Sequence, residues 1–151
     1  MADLHDGAPR RVLIVDDNRE LVASFAALLA GAGHTVFTAY DGAEAIECAA
    51  HARPDVVILD VHMPRLRGDT VARVLRRHPE MTRPILIGIT GLASAEVRTA
   101  QCDGFDAMLC KPIDVDALLR IVTSTDVVAA PLRTEYGAEA RAKPTTQMDR
   151  S

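Results

Sequence analysis

Short β-branched runs alternate along the chain with longer segments of helical period. The runs are RVLIV (11–15), HTVFTA (34–39), DVVIL (55–59), PILIGIT (84–90) and FDAMLC (105–110). Between the first two, Leu21, Phe25, Leu28 and Leu29 share one helical face, and Val115, Leu118, Leu119 and Val122 do the same after the last. Asp41 with Glu44 fits a capping box that opens the second helix, and Gly31 and Gly33 suit the end of the first. The pattern predicts five strand–helix units without internal repeat. Strands this apolar are buried on both faces, so the expected fold is α/β, a five-stranded parallel sheet with helices on both sides.

From about Asp126 the pattern stops. The last stretch holds Pro131 and Pro144, four basic residues (Arg133, Arg141, Lys143, Arg150) and four acidic ones (Asp126, Glu135, Glu139, Asp149). A short helix around 135–142 is conceivable there, but the composition predicts a mostly disordered tail over 125–151. The expected organisation is a flexible start at 1–9, one domain over 10–124, and that tail.

Composition narrows the function classes. The chain has 151 residues, enough for one real core, with 48% hydrophobic and 25% charged residues. A net charge of −4 argues against non-specific nucleic-acid binding as the main task. No run has the apolar length to span a bilayer, and the first residues lack the apolar core of a signal peptide. Cys48, Cys102 and Cys110 are odd in number and form no C-x-x-C. A disulfide framework or zinc site is therefore not expected, and a reducing cytoplasm is the simplest location.

The chemistry stands at the C-terminal ends of the runs. The first ends in Asp16-Asp17, the third in Asp60, the fourth in Thr90 and the fifth in Lys111-Pro112. Open parallel sheets bind ligands outside these strand ends, where the strand order reverses. Five units wound in the order 2-1-3-4-5 put that point between strands 1 and 3, making the two carboxylate-bearing strands neighbours. Two carboxylates about 4 Å apart repel by roughly 4 kcal/mol at an effective dielectric near 20, so the cluster asks for a cation. All-oxygen ligands favour Mg²⁺, and a carboxylate beside Mg²⁺ can attack phosphorus in line. Lys111 would neutralise the growing equatorial charge, and the Thr90 hydroxyl would donate to a phosphoryl oxygen. This explains why a buried strand delivers Asp60 to its rim.

Asp16-Asp17, Asp60-x-x-Met63-Pro64 with Gly68, Thr90 and Lys111-Pro112 together resemble the receiver domains of two-component response regulators, over roughly 10–124. The resemblance implies a flavodoxin-like, doubly wound sheet in the order 2-1-3-4-5. It implies that Asp60 is the phosphoacceptor, that Asp17, Asp60 and the backbone carbonyl of His62 bind Mg²⁺ directly, and that Asp16 acts largely through metal-bound water. It makes Thr90 the switch hydroxyl and Lys111 the partner of the phosphoryl group, with the Lys111–Pro112 bond cis. The implied donor is a histidine kinase or histidine phosphotransfer protein, with an unknown downstream protein as target; charge and the lack of a long apolar run lead us to expect neither nucleic acid nor membrane as partner.

One position departs from the family. Receivers usually carry Tyr or Phe three residues before the lysine, a ring that turns inward as the threonine moves. Here the residue is Met108, which can fill a cavity but has no ring or hydroxyl to gate, so a weaker or differently routed change in the strand 4–helix 4–strand 5 face is expected. His62 and Leu92 occupy positions that tune dephosphorylation in this family, and neither is a carboxylate that would align a water. A long-lived phosphoryl group follows. The His62 side chain is expected to face solvent, and Cys110 to be a small core residue.

Each residue also has a plainer reading. An acidic pair is commonly a helix cap, a duty Asn18 could share, and Thr90 or Lys111 alone would mean little. Arg65, Arg67, Arg73, Arg76 and Arg77 read first as a solvated face and only second as a docking patch. Among rival functions, dinucleotide or flavin binding is disfavoured because DDNREL after strand 1 has no glycine for a phosphate. An aspartate-based phosphohydrolase is disfavoured because Val61 and His62 follow Asp60, where that chemistry wants D-x-D. The expectation is a stand-alone, phospho-accepting signalling switch whose catalysis is confined to gaining and losing its own phosphoryl group. The alternative is a phosphorylation-independent scaffold of the same fold.

Overall fold

The computed structural model describes residues 9–79, 83–91 and 104–123, with the backbone of 133–135. The five expected strands are β1 (Arg11–Val15), β2 (Thr35–Ala39), β3 (Val56–Asp60), β4 (Ile85–Thr90) and β5 (Ala107–Cys110), and a sixth, β6, runs over Arg133–Glu135. Described helices are α1 (Arg19–Gly31), α2 (Gly42–Ala52), α3 (Gly68–Arg77) and α4 (Val115–Thr123). The sheet order is β2-β1-β3-β4-β5-β6, with every neighbouring pair parallel. The helix expected between β4 and β5, Leu92, Cys102, the N-terminal residues 1–8 and the rest of the tail lie outside the described residues.

Alternation along the strands divides the core in two. Val12, Ile14, Val56, Ile58, Ile87 and Ile89 pack against Val22, Phe25 and Leu29 of α1 and Leu118, Ile121 and Val122 of α4. Leu13, Val15, Val57, Leu59, Leu86 and Met108 pack against Ala45 and Ala49 of α2 and Val71, Ala72 and Leu75 of α3. β3 and β4 are buried along their whole length, as strands covered on both faces must be. Two details of the helical faces differ from expectation. Val22 belongs to the buried stripe of α1, with Leu21 and Leu28 only at its margin. Val115 is 40% exposed, because α4 turns Ala117, Leu118, Ile121 and Val122 inward.

The helix ends follow local chemistry. Asn18 Oδ1 accepts from the backbone N–H of Glu20 and of Leu21, each at 3.1 Å, and so caps α1. Asp41 Oδ1 accepts from Glu44 N–H at 2.8 Å, while Glu44 Oε1 reaches back to Tyr40 N–H at 2.8 Å. This is a capping box shifted by one residue at its return bond. Gly33, just beyond α1, has φ +102°, where a side chain would be strained.

Within the tail, the structure describes one element, β6. Residues 133–135 pair with 107–109 of β5, which puts Glu135, the first residue of the conceivable helix over 135–142, in a strand; 136–142 lie outside the described residues. The outer edge of β5 offers backbone donors and acceptors that any extended segment can satisfy, whatever its side chains. Tail composition carries no signal for such pairing.

Candidate functional site

The strand order puts β1 beside β3, and with them the acidic ends of both. Val15 is registered with Leu59, so Asp16 and Asp60 leave the sheet side by side. Asp16 and Asp60 are 2% and 4% exposed, whereas Asp17, one residue further, is exposed. One carboxylate oxygen from each of Asp16, Asp17 and Asp60 lies within 4.8 Å of the others.

Backbone donors hold both buried carboxylates. Asn18 N–H donates to Asp16 Oδ1 at 2.9 Å, and His62 N–H donates to Asp60 Oδ1 at 3.0 Å. The remaining oxygens face Lys111, whose Nζ is 3.6 Å from Asp16 Oδ2 and 3.7 Å from Asp60 Oδ2. These distances give charge attraction without a direct hydrogen bond. Asp16 Oδ2 is buried and has no hydrogen-bond partner among the described residues.

That orphaned oxygen has an electrostatic signature. Burial pushes the Asp16 carboxyl from 3.8 up to about 6; the Asn18 N–H pulls it down, Asp60 raises it, and Lys111 lowers it. Burial outweighs the lysine because the ammonium is shared between two carboxylates and is itself 36% exposed. Three ionised carboxylates against one ammonium leave two negative charges, the complement of a single hard divalent cation. An all-oxygen donor set with an unsatisfied buried oxygen therefore fits such an ion, and Asp16, Asp17 and Asp60 are the side chains that would hold it.

Local packing explains how Asp60 is held. Val61 N–H donates to Ile89 O at 2.9 Å, and Gly68 N–H donates to Val61 O at 2.9 Å, folding the connection back onto the strand end. Met63, 3% exposed, is driven into the core beneath it. A Cβ on Gly68 would collide with the Asp60 carbonyl oxygen and lie 2.7 Å from Val61 Cα. Only glycine lets α3 begin this close to the acidic strand end.

Thr90 ends β4, is 2% exposed, and is registered with Cys110 of β5. Its carbonyl accepts from Lys111 N–H at 2.8 Å, and the Lys111–Pro112 peptide is cis. Met108 is wholly buried on the α2–α3 side, opposite Gly88. The His62 side chain differs from its expected solvent-facing place: it is half-buried, and its Nε2 is enclosed without a hydrogen-bond partner among the described residues. The arginine-rich stretch is also less uniform than a solvated face. Arg67 pairs with Asp69 at 3.2 Å, and Arg76 is committed to Asp106 at 2.6 Å and to Pro84 O at 2.8 Å. Gly88 escaped the sequence reading. Its signal was a glycine inside an otherwise bulky strand, which marks a close approach.

Comparison with known proteins agrees with this architecture. A family model described as "Response regulator receiver domain" matches residues 12–123. The response regulator MprA of Mycobacterium ulcerans is 44% identical over 110 residues, which span 72% of this chain and 47% of that protein. The chain thus spans about half the length of the curated relatives it matches. Among solved structures, the chemotaxis protein CheY4 of Vibrio cholerae superposes with a TM-score of 0.69 at 32% identity, over 76% of this chain and 97% of that one. The BeF3-activated N-terminal receiver domain of Klebsiella pneumoniae RstA gives 0.67 at 26% identity, over 74% of this chain and 94% of that one.

Proposed function

We propose, for a chain that belongs to the response regulator receiver domain family, that it accepts a phosphoryl group on Asp60 from a phosphohistidine donor, in a reaction that requires Mg²⁺. The observation that carries this is the grouping of Asp16, Asp17 and Asp60 within 4.8 Å, with Lys111 3.6 Å and 3.7 Å from the two buried members. The three carboxylates, with the His62 backbone carbonyl, would hold Mg²⁺, which when bound neutralises phosphoryl oxygens. Asp16 would contribute largely through a bound water.

His62 N–H fixes Asp60 Oδ1 and leaves Oδ2, the oxygen nearest Lys111, as the nucleophile. It attacks phosphorus in line; the new O–P bond forms as the P–N bond to the donor imidazole breaks, and that nitrogen keeps the bonding pair. Lys111 would swing from the carboxylates to a phosphoryl oxygen, and the Thr90 hydroxyl would donate to another. The donor is a histidine kinase or histidine phosphotransfer protein, and the output is a change in the face offered to a downstream protein.

Acetyl phosphate or phosphoramidate labelling with Mg²⁺, read by intact-protein mass, tests this on the wild type and on Asp60→Asn. One added phosphoryl group on the wild type alone is expected. No label on either, with Mg²⁺ binding demonstrated and a phosphorylated cognate kinase also failing, would leave the phosphorylation-independent scaffold as the better reading. Release of inorganic phosphate over many turnovers from a small phosphoester would instead point to a hydrolase.

A further inference from the structure

Gly88 interrupts β4 between Ile87 and Ile89, in a strand that is buried throughout. A glycine there loses backbone entropy on folding and adds no packing of its own, so something must need the space. The occupant is Met108, its cross-strand partner on β5. A Cβ built on Gly88 would lie 2.6 Å from Met108 Sδ, 3.1 Å from Met108 Cε and 3.1 Å from Phe105 Cδ1. The Met108 thioether therefore lies in the place of a side chain at 88, beside the Phe105 ring, with 0% of the residue exposed. An unbranched thioether suits so shallow a notch. Side-chain alternation puts Thr90 on the same face of β4 as Gly88, and the register makes Met108 its diagonal neighbour.

We propose that Gly88 is a positioning residue that keeps Met108 permanently inside, so that position 108 stays buried whether or not Asp60 is phosphorylated. The inference rests on Asp60 and Thr90 acting as acceptor and switch, and it concerns how their state reaches the surface. Drawing Met108 out would leave the notch over Gly88 unfilled and put the thioether in water, and both changes are unfavourable. Nothing on the side chain compensates, because it has no hydroxyl to hydrogen-bond outside. A partner docking over the β4–β5 end of the sheet meets no side-chain gate at 108 in either state. Any dependence of its binding on phosphorylation comes from Thr90 and the backbone around it.

The test uses the full chain labelled with ¹³C-methyl methionine, with the Met108 signal identified by Met108→Leu. Relaxation enhancement by a soluble gadolinium chelate is measured without ligand and with Mg²⁺ and beryllofluoride. The expected result is equal, strong protection of the Met108 methyl in both states while the Thr90 amide shifts. A methyl several-fold more accessible without ligand than with it would reveal a moving gate and overturn the proposal. Gly88→Ala is expected to displace the Met108 methyl resonance and raise its accessibility, and Met108→Ala added to it is expected to recover part of the lost melting temperature. A Gly88→Ala protein with an unmoved Met108 signal would also overturn the proposal, and the wild-type comparison decides it if that variant does not fold. If Mg²⁺ and beryllofluoride move neither the Asp60 nor the Thr90 amide, the receiver reading fails. The ligand-free protection of Met108 and its response to Gly88→Ala still report on the notch.

Discussion

Asp16 sits in an environment that works against its own charge. Its carboxyl is raised from 3.8 to about 6, chiefly by burial, and one of its oxygens has no hydrogen-bond partner among the described residues. A carboxyl raised on folding binds more protons folded than unfolded between those two values. Stability of the metal-free protein is therefore expected to fall as pH rises from about 4 to about 6 and to level off above. Asp16→Asn keeps an oxygen for the Asn18 N–H and removes the buried charge. In chelator at pH 7 it is expected to be more stable than the wild type by on the order of 2 kcal/mol, and to lose the decline between pH 4 and 6. Urea denaturation at several pH values checks this; a variant less stable than the wild type at pH 7 would show that Lys111 already compensates the charge. Asp17 is exposed, so the same substitution there is expected to leave metal-free stability nearly unchanged.

Among the elements, α3 and the β4–β5 pair are joined by a brace at the end of the sheet away from the acidic cluster. Arg76 donates to Pro84 O at 2.8 Å and to Asp106 Oδ2 at 2.6 Å, and that same oxygen accepts Leu86 N–H at 2.8 Å. Both charged side chains are about one-fifth exposed, so screening is partial and the geometry tight. Among the described residues, Arg76→Ala takes from the Pro84 carbonyl its guanidinium donor and leaves the Asp106 side chain with the Leu86 N–H. A loss of about 2–3 kcal/mol is expected by thermal or chemical denaturation. Arg76→Lys is expected to recover less than half of it, because one ammonium does not reproduce the guanidinium fork. The run of arginines shows why charge along a helix is poorly legible from sequence. Arg76 and Arg77 are adjacent and chemically identical, yet α3 turns one toward Asp106 and leaves the other exposed.

At the scale of the whole molecule, a cation held by the acidic cluster would couple binding to folding, since the unfolded chain cannot bring residues 16, 17 and 60 together. Mg²⁺ is expected to raise the melting temperature, with stabilisation growing logarithmically to about 2.7 kcal/mol at a hundred times Kd. Asp17→Asn is expected to abolish most of that increase while leaving the metal-free melting temperature in place. An equal Mg²⁺ response in wild type and variant, read by calorimetry, would remove Asp17 from the ligand set. Such coupling is possible because the sheet gathers its chemistry on one rim. That much was legible in the chain itself. Apolar β-branched runs separated by helical segments can bury both faces only as a covered parallel sheet, and every strand of such a sheet delivers its last residues to the same side. Asp16, Asp17, Asp60, Thr90 and Lys111 were identifiable for this reason, because each stands where an apolar run ends. Tertiary structure alone decided the rest: the 3.6 Å and 3.7 Å approaches of Lys111, the burial that raises Asp16, the enclosed ring of His62, the fit of Met108 over Gly88, and the pairing of residues 133–135 with β5. These depend on register between strands distant in sequence and on the solvent that neighbouring elements exclude. A residue's type and its spacing along the chain encode neither.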